Sequence, residues 1–462
     1  MMEALTAKDI KTAEQAKALI QHRGLKHVKV GLTDIDGVIR GKYMSKAKFF
    51  SALDKGFAFC DVVLGWDSND QLYENVGVEY TGWQTGYPDA PVRIVPESCR
   101  ELYDEPGMLF FLAEFSDQAE ALCPRGLLRR VLHKAGRMGL QVFSAFEYEF
   151  FLFDETPDSV RVKNYQNLKP ITPGFFGYSV LRNSVHSELY QSLLDLSETM
   201  DFPIEGLHTE TGPGVLEAAI DVDEASLSAD KAILFKTFVK VWAQRRDMMA
   251  TFMAKWSNDF PGQSGHIHVS LRNQSDGRSA FYDADAKHGM SDIQRHFLAG
   301  QQQFMPELCA MYSQTVNSYS RMVPGFWAPM DATWGVENRT TALRIIPGSD
   351  ASQRIEFRLG SADANPYLAL AAAIGSGLEG IERKLEPEEQ VKGNAYEQTF
   401  PLHLALPQTL DAAAYALQHS DVAKDLFGDA FVKHYASTRI WESQQYRKHI
   451  SDWELKRYFE II

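Results

Sequence analysis

Val142-Phe-Ser-Ala-Phe-Glu147-Tyr-Glu149-Phe-Phe-Leu-Phe153 is an apolar run interrupted by two acids, and its reading decides the fold. Residues two apart on a β-strand point to one face, so Glu147 and Glu149 aim at the same place. Two further strand-like segments repeat the arrangement, His266-Ile-His268 and Glu356-Phe-Arg358. Taken singly, alternating acids mark the wet face of an edge strand, and lone histidines are commonly satisfied in a core. Here Phe143, Phe146, Phe150, Phe151 and Phe153 leave little room for a wet face, and buried acids are rare unless paired or ligated. Glu210 and Glu217, on the two sides of Gly212-Pro-Gly214, would alone read as hairpin surface charges. The case rests on the set. Carboxylates and imidazoles converging on one cavity need a neutralising charge, and divalent cations are the usual one. Mostly oxygen ligands with a single imidazole suit Mg²⁺ or Mn²⁺ better than Zn²⁺.

A run of arginines follows: Arg321, Arg339, Arg344, Arg354 and Arg358. Scattered arginines usually form weak surface ion pairs, yet several of these are embedded in apolar, strand-like sequence. Guanidinium groups beside carboxylate-held divalent metals are what a polyphosphate and a transferring phosphoryl group need. No Walker-type Gly-rich segment is present, so a nucleotide is held by another device.

Composition bounds the rest. The 462 residues exceed one ordinary core, and 45% hydrophobic with 23% charged residues is globular. A net charge of −14 argues against nucleic acid or an anionic membrane as a standing partner. Cys60, Cys99, Cys123 and Cys309 form no CxxC pair, and the N-terminus lacks the apolar core of a signal peptide. The apolar stretch Ala364 to Leu378 is shorter than the roughly 20 residues that span a bilayer. A cytoplasmic protein is expected.

Residues 8–22 read as an amphipathic helix. Val28 to Thr33, the Asp34-Ile-Asp-Gly37 turn and Val38 to Lys42 read as a hairpin. Short strands fill Pro88 to Phe115, Cys123-Pro-Arg-Gly126 opens a helix through Met138, and another helix begins near Ser184. Ser228 to Met253 reads as one long helix capped by Ser226 or Ser228. Strands and helices do not alternate regularly, which favours an α+β architecture over a doubly wound sheet.

Taken in order, these motifs resemble the glutamine synthetase superfamily over nearly the whole chain: Asp34-x-x-Gly37, Glu147-x-Glu149, His208-x-Glu210 with Glu217, Lys255, His266-x-His268, Asn317-Ser-Tyr-x-Arg321-x-Val-Pro-Gly325, Asn338-Arg339 with Arg344, Arg354-Ile-Glu356-x-Arg358 and Ala364-Asn-Pro-Tyr367. The resemblance implies a small N-terminal β-grasp domain, residues 1–112, and a catalytic domain, residues 113–462, whose curved antiparallel sheet forms a two-ended funnel. It also implies a homododecamer of two hexameric rings with active sites between subunits.

By the same resemblance, one metal is held by Glu149, Glu210 and Glu217 and a second by Glu147, His266 and Glu356, with two or three Mg²⁺ or Mn²⁺ per site. Arg321 and Gly262 meet glutamate, Arg339, Arg344 and Arg358 meet phosphate oxygens, and His208, His268, Ser270 and Arg354 fall on the ATP side. Asp34 reaches from a neighbouring subunit to the amine; its plain alternative is a turn-forming Asp. The implied chemistry is phosphorylation of the γ-carboxylate of L-glutamate by ATP, followed by attack of an amine.

Two positions depart from ammonia-using members. Trp327, in Val323-Pro-Gly-Phe-Trp327, stands where those enzymes carry a glutamate, and Cys60, adjoining Asp61, stands at a second acidic position. An indole and a thiol weaken a site for a small cation and favour an apolar substituent on nitrogen. Trp327 as mere packing is the plain alternative. Trp334-Gly-Val-Glu-Asn-Arg339 and Asp452-Trp-Glu-Leu-Lys-Arg-Tyr458 are similar to the γ-glutamylamide and γ-glutamylpolyamine synthetase branch. Tyr396 is read as structural. The expected activity is a glutamate–amine ligase acting on a small alkyl or aryl monoamine. Its rivals are a polyamine ligase, a true glutamine synthetase and a noncatalytic structural member.

Overall fold

A computed structural model describes residues 6–74 and 76–462 and shows two sheets. The first contains β1 (His27–Thr33), β2 (Ile39–Ser45), β3 (Phe57–Cys60), β4 (Asp89–Ile94), β5 (Arg100–Glu101) and β6 (Leu109–Phe115), in the order β2-β1-β6-β4-β3 with β5 on β6. The expected hairpin is β1 and β2, antiparallel from His27 opposite Ser45 to Thr33 opposite Ile39. A helix, Lys46–Lys55, lies against this sheet, with Phe49 packed on Phe111 at 4.7 Å between ring centroids. Residue 112, the expected domain boundary, lies inside β6.

The second sheet has nine strands: β7 (Leu140–Phe153), β8 (Ile204–Thr209), β9 (Val215–Ile220), β10 (Asp223–Glu224), β11 (Met249–Thr251), β12 (Gly265–Asn273), β13 (Trp334–Val336), β14 (Leu343–Ile346) and β15 (Arg354–Phe357). Its order is β13-β14-β15-β12-β7-β9-β8, with β10 and β11 also on β7. Every pairing is antiparallel, as expected, except that of the short edge strands β13 and β14, which run parallel. The phenylalanines of β7 are nearly all buried, as the apolar run requires.

The N-terminal helical segment divides into a short 3-10 turn, Ala7–Asp9, and the helix Ala13–His22, started by a Thr12/Gln15 capping box. The helix expected near Ser184 is two, Val180–Val185 and Ser187–Thr199. Ser228–Met253 is not one helix. The helix runs Ala225–Gln244, Asp247 takes a left-handed conformation (φ +54°), and Met249–Thr251 becomes β11 against Phe151–Phe153. Apolar spacing continues across the break, which hid it from periodicity. Ser226 and Ser228 lie within the helix, and Glu224 occupies the N-cap without a side-chain bond.

Behind the sheet, Asp292–Tyr312 packs closely on Pro366–Arg383: a Cβ on Gly300 would lie 2.7 Å from the Gly380 Cα, so only glycine fits there. The second of these helices contains the Ala364–Leu378 stretch from Pro366 onward. Asn365 caps it by accepting from Tyr367 N at 3.1 Å and donates to Ile35 O at 3.0 Å, tying it to the N-terminal turn. Among the described residues no helix is long and apolar enough to cross a membrane. All four cysteines are free.

Candidate active site

Strand register places the chemistry in two rows across the sheet. His208 on β8 opposes Glu217 on β9, which opposes Glu149 on β7. Glu147 on β7 opposes His266 on β12, while His268 opposes Glu356 on β15, and Glu356 opposes Arg344 on β14. A cavity of about 510 Å³ opens over these rows. Its wall includes Glu147, Glu149, Glu210, Glu217, His266, Glu356, Arg321, Arg339, Arg344, Arg358, Gly262 and Trp327, all named from the sequence. A second cavity of about 250 Å³ shares Glu147 and takes in His268, Ser270 and Arg354.

Among the described residues, two groups have ligand atoms within 4.8 Å of one another: Glu147 with His266 and Glu356, and His208 with Glu210 and Glu217. The first is the triad named from the sequence. In the second, His208 stands with Glu210 and Glu217, while Glu149 lines the same cavity and accepts from Ser264 N at 2.8 Å. His208 is held by Tyr178, whose ring stacks on the imidazole at 4.3 Å. No sequence period could have singled out Tyr178, because it sits in an irregular turn with φ +55°.

Electrostatics show what the groups lack. Burial, then Glu149, Glu147 and the other acids, push the Glu217 carboxyl up to about 9. Burial also opposes charge on Glu356, but Arg358 and the two histidines hold it down at about 2. Burial is likewise overcome at Glu147, which His268 and His266 hold well below the usual range. The His266 Nε2 is buried without a hydrogen-bond partner among the described residues. Acids crowded around the His266 Nδ1 atom, Glu147 at 3.6 Å and Glu356 at 3.5 Å, fit a divalent cation.

The arginines are held firmly. Arg321 is buried and donates to Leu359 O at 2.9 Å and Arg358 O at 3.2 Å. Arg344 donates to Glu356 at 2.9 Å, and Arg354 reaches His268 Nδ1 at 3.2 Å. Gly262 admits no side chain: a Cβ would lie 2.6 Å from the Arg321 Cγ and 2.7 Å from Ala254 O. Lys255 and Asn317 exchange backbone-to-amide bonds at 2.8 Å each, joining the loop before Gly262 to that before Arg321.

Residues 121–458 match the glutamine synthetase catalytic domain. The chain belongs to the glutamine synthetase family. Type-1 glutamine synthetase 2 of Dictyostelium discoideum is 43% identical over 94% of this chain and 84% of its own length. Glutamate–isopropylamine ligase of a Pseudomonas species is 34% identical, covering 97% of this chain and 98% of its own. Gamma-glutamylethanolamide synthetase GlnA4 of Streptomyces coelicolor is 35% identical over 97% and 95%. A solved complex of GmaS with ADP superposes with a TM-score of 0.84 at 25% identity, covering 96% of this chain and 99% of that one.

Three family residues fall elsewhere. The Asp34 carboxylate is fully buried within its own chain, accepting from Val38 N and Arg40 Nε at 2.8 Å each, so it does not project toward a neighbour as the resemblance implied. The bond from Val38 N, four residues on, holds it inward. Cys60 lines neither cavity, and its thiol lies 3.4 Å from Tyr87 O; Asp61 is buried and accepts from Thr81 at 2.9 Å. Tyr396, read as structural, lines neither cavity. Burial raises its hydroxyl pKa against the charges of Arg358 and Arg321, and that hydroxyl has no partner among the described residues.

Proposed function

We propose that the protein uses ATP to join the γ-carboxylate of L-glutamate to a small organic monoamine. The observation that carries this reading is the wall shared by Trp327, Phe326, Phe151, Val215 and Tyr178 in the same cavity as the Glu147–His266–Glu356 group and the Glu210 and Glu217 carboxylates. Apolar surface beside the reacting centre favours an alkyl or aryl substituent over a bare ammonium ion. The relatives named for isopropylamine and ethanolamide synthesis support it.

In this reading, Glu147, His266 and Glu356 hold one divalent cation, and Glu210 and Glu217 hold another with Glu149 opposite. Such cations, Mg²⁺ or Mn²⁺, would when bound supply positive charge against a transferring phosphoryl group. Arg321 binds the α-carboxylate of glutamate, and Gly262 brings backbone close to its amino group. Arg339, Arg344 and Arg358 spread charge on the phosphoryl oxygens, while His268, Ser270 and Arg354 line the ATP side. His208, assigned to that side by resemblance, lies within ligand distance of Glu210 and Glu217. An alkylammonium has a pKa of about 10, so a proton must leave after capture.

The 43% identity to a type-1 glutamine synthetase favours ammonia as the second reading. ADP release with glutamate plus ammonia, isopropylamine, ethanolamine, aniline or putrescine tests both. An alkyl or aryl monoamine is expected to give the highest kcat/KM; ammonia or putrescine in first place would overturn the proposal.

A further inference from the structure

Lys255 stands among the motifs of the sequence, yet no step of the proposed ligation uses it, and it lines neither cavity of the active site. Its side chain is buried, and the ammonium donates to Phe260 O at 2.7 Å, which leaves two of its three N–H groups without a protein acceptor among the described residues. No carboxylate offsets the burial that lowers its pKa. What covers the ammonium is a ring: Phe326, whose centroid is 5.1 Å from Nζ. The negative face of an aromatic ring attracts a cation at that distance, and more strongly when water is excluded.

Phe326 belongs to a turn, residues 323–327, whose last four residues are exposed between the buried Met322 and Ala328. Gly325 and Trp327 take left-handed conformations there, φ +83° and +60°. Among the described residues the hydrogen bonds of this turn stay local: Val323 N donates to Arg321 O at 2.8 Å and Phe326 N to Val323 O at 3.2 Å. Neither Phe326 nor Trp327 joins an apolar cluster of the core. An exposed segment held by two local bonds opens easily. This one nevertheless supplies two rings to the wall of the catalytic cavity.

The base of Lys255, by contrast, is fixed. Its backbone N donates to Asn317 Oδ1 at 2.8 Å, and Gln263 N donates to Ala254 O at 2.7 Å, closing the loop that carries it. The ammonium is therefore a fixed post and Phe326 the movable part that rests on it. We propose that Lys255 is a positioning residue that fastens the turn 323–327 over the catalytic cavity through the Phe326 ring, and so keeps water from the activated glutamate. The inference rests on the ligation proposed above. There the amine attacks the γ-carbonyl carbon of γ-glutamyl phosphate; with the turn open, water attacks the same carbon, the C–O bond to phosphate breaks, and glutamate and phosphate leave without amide being formed. A contact of this kind shifts the balance between fastened and open turn by about five- to thirtyfold.

Two measurements on the full-length protein test it. The first is phosphate release from ATP and glutamate without amine, relative to amide formation with the best amine. The second needs no turnover: acrylamide quenching of Trp327 fluorescence, read as the difference between each protein and its Trp327→Phe counterpart. Lys255→Met and Phe326→Leu are each expected to raise the relative amine-free phosphate release about fivefold or more and to increase the quenching, while the KM for ATP stays within about twofold. The double variant should do no more than either single one, because both remove the same contact. Unaltered thermal melting shows that the variants are folded; if Lys255→Met, which also loses the Phe260 bond, melts early, Phe326→Leu decides, because it leaves that bond in place. A parent that releases no ADP with any amine would overturn the ligase reading and the water-excluding role with it. An active parent whose variants leak and quench as it does, or a double variant whose effects add, would overturn the role of Lys255 alone.

Discussion

Glu356 Oε1 stands 3.5 Å from His266 Nδ1 across the β12–β15 pairing, while its other oxygen accepts from Arg344 at 2.9 Å. One carboxylate therefore faces a ligand-type nitrogen on one side and a phosphate-type guanidinium on the other. The Glu356→Gln variant keeps the volume and removes the charge. We expect kcat to fall by about 10²-fold or more and Mn²⁺ to bind at least tenfold more weakly. ADP release and paramagnetic resonance of bound Mn²⁺ read the two effects.

Glu217 gives a pH dependence in the metal-free protein. Its carboxyl is raised from 4.5 to about 9 on folding, so the unfolded chain loses this proton first. The stability it contributes is full below about 4.5 and is lost as pH rises through about 9. Glu217→Gln should flatten that decline in metal-free melts, while reducing the rise in melting temperature that added Mg²⁺ produces in the parent.

Trp327 is exposed in a left-handed turn (φ +60°) at the rim of the catalytic cavity. Trp327→Glu should shift the ratio of kcat/KM for ammonia over isopropylamine upward by at least tenfold. An unchanged ratio would leave Trp327 as a packing residue.

Gly262 has no room for a methyl group against Arg321. Gly262→Ala should raise the KM for glutamate at least tenfold with a smaller effect on that for ATP, because the displaced side chain is the proposed carboxylate anchor. Steady-state titration of each substrate separates the two.

His434 Nε2–H donates to Leu64 O at 2.8 Å, and burial pushes its pKa from 6.5 down to about 4. A depressed histidine contributes stability that is full above about 6.5 and is lost as pH falls through about 4. His434→Gln should narrow the gap between urea midpoints measured at pH 7 and pH 4.5.

The sequence made the catalytic cavity legible to an unusual degree because its residues alternate on strands, where a period of two reveals a shared face. Glu147 and Glu149, His266 and His268, and Glu356 and Arg358 all follow that rule. What it could not reveal came from places without a period. Tyr178 reaches His208 from a turn, and Asp34 turns inward through bonds to Val38 and Arg40. The end of the helix at Gln244 was hidden because apolar spacing persists into β11, while the break itself is a backbone conformation at Asp247.

The central position of β7, with β12 then β15 laid beside it, also sets a timetable for biosynthesis. Glu147 leaves the ribosome roughly 200 residues before Glu356, an interval of about 10–40 s at ordinary elongation rates. In the last part of that wait the growing polypeptide carries β12 with its β15-facing edge unpaired, and Glu147 and His266 without Glu356. Chaperone capture and premature metal scavenging are hazards of that interval, and any shortened translation product ending before Arg344 inherits them permanently.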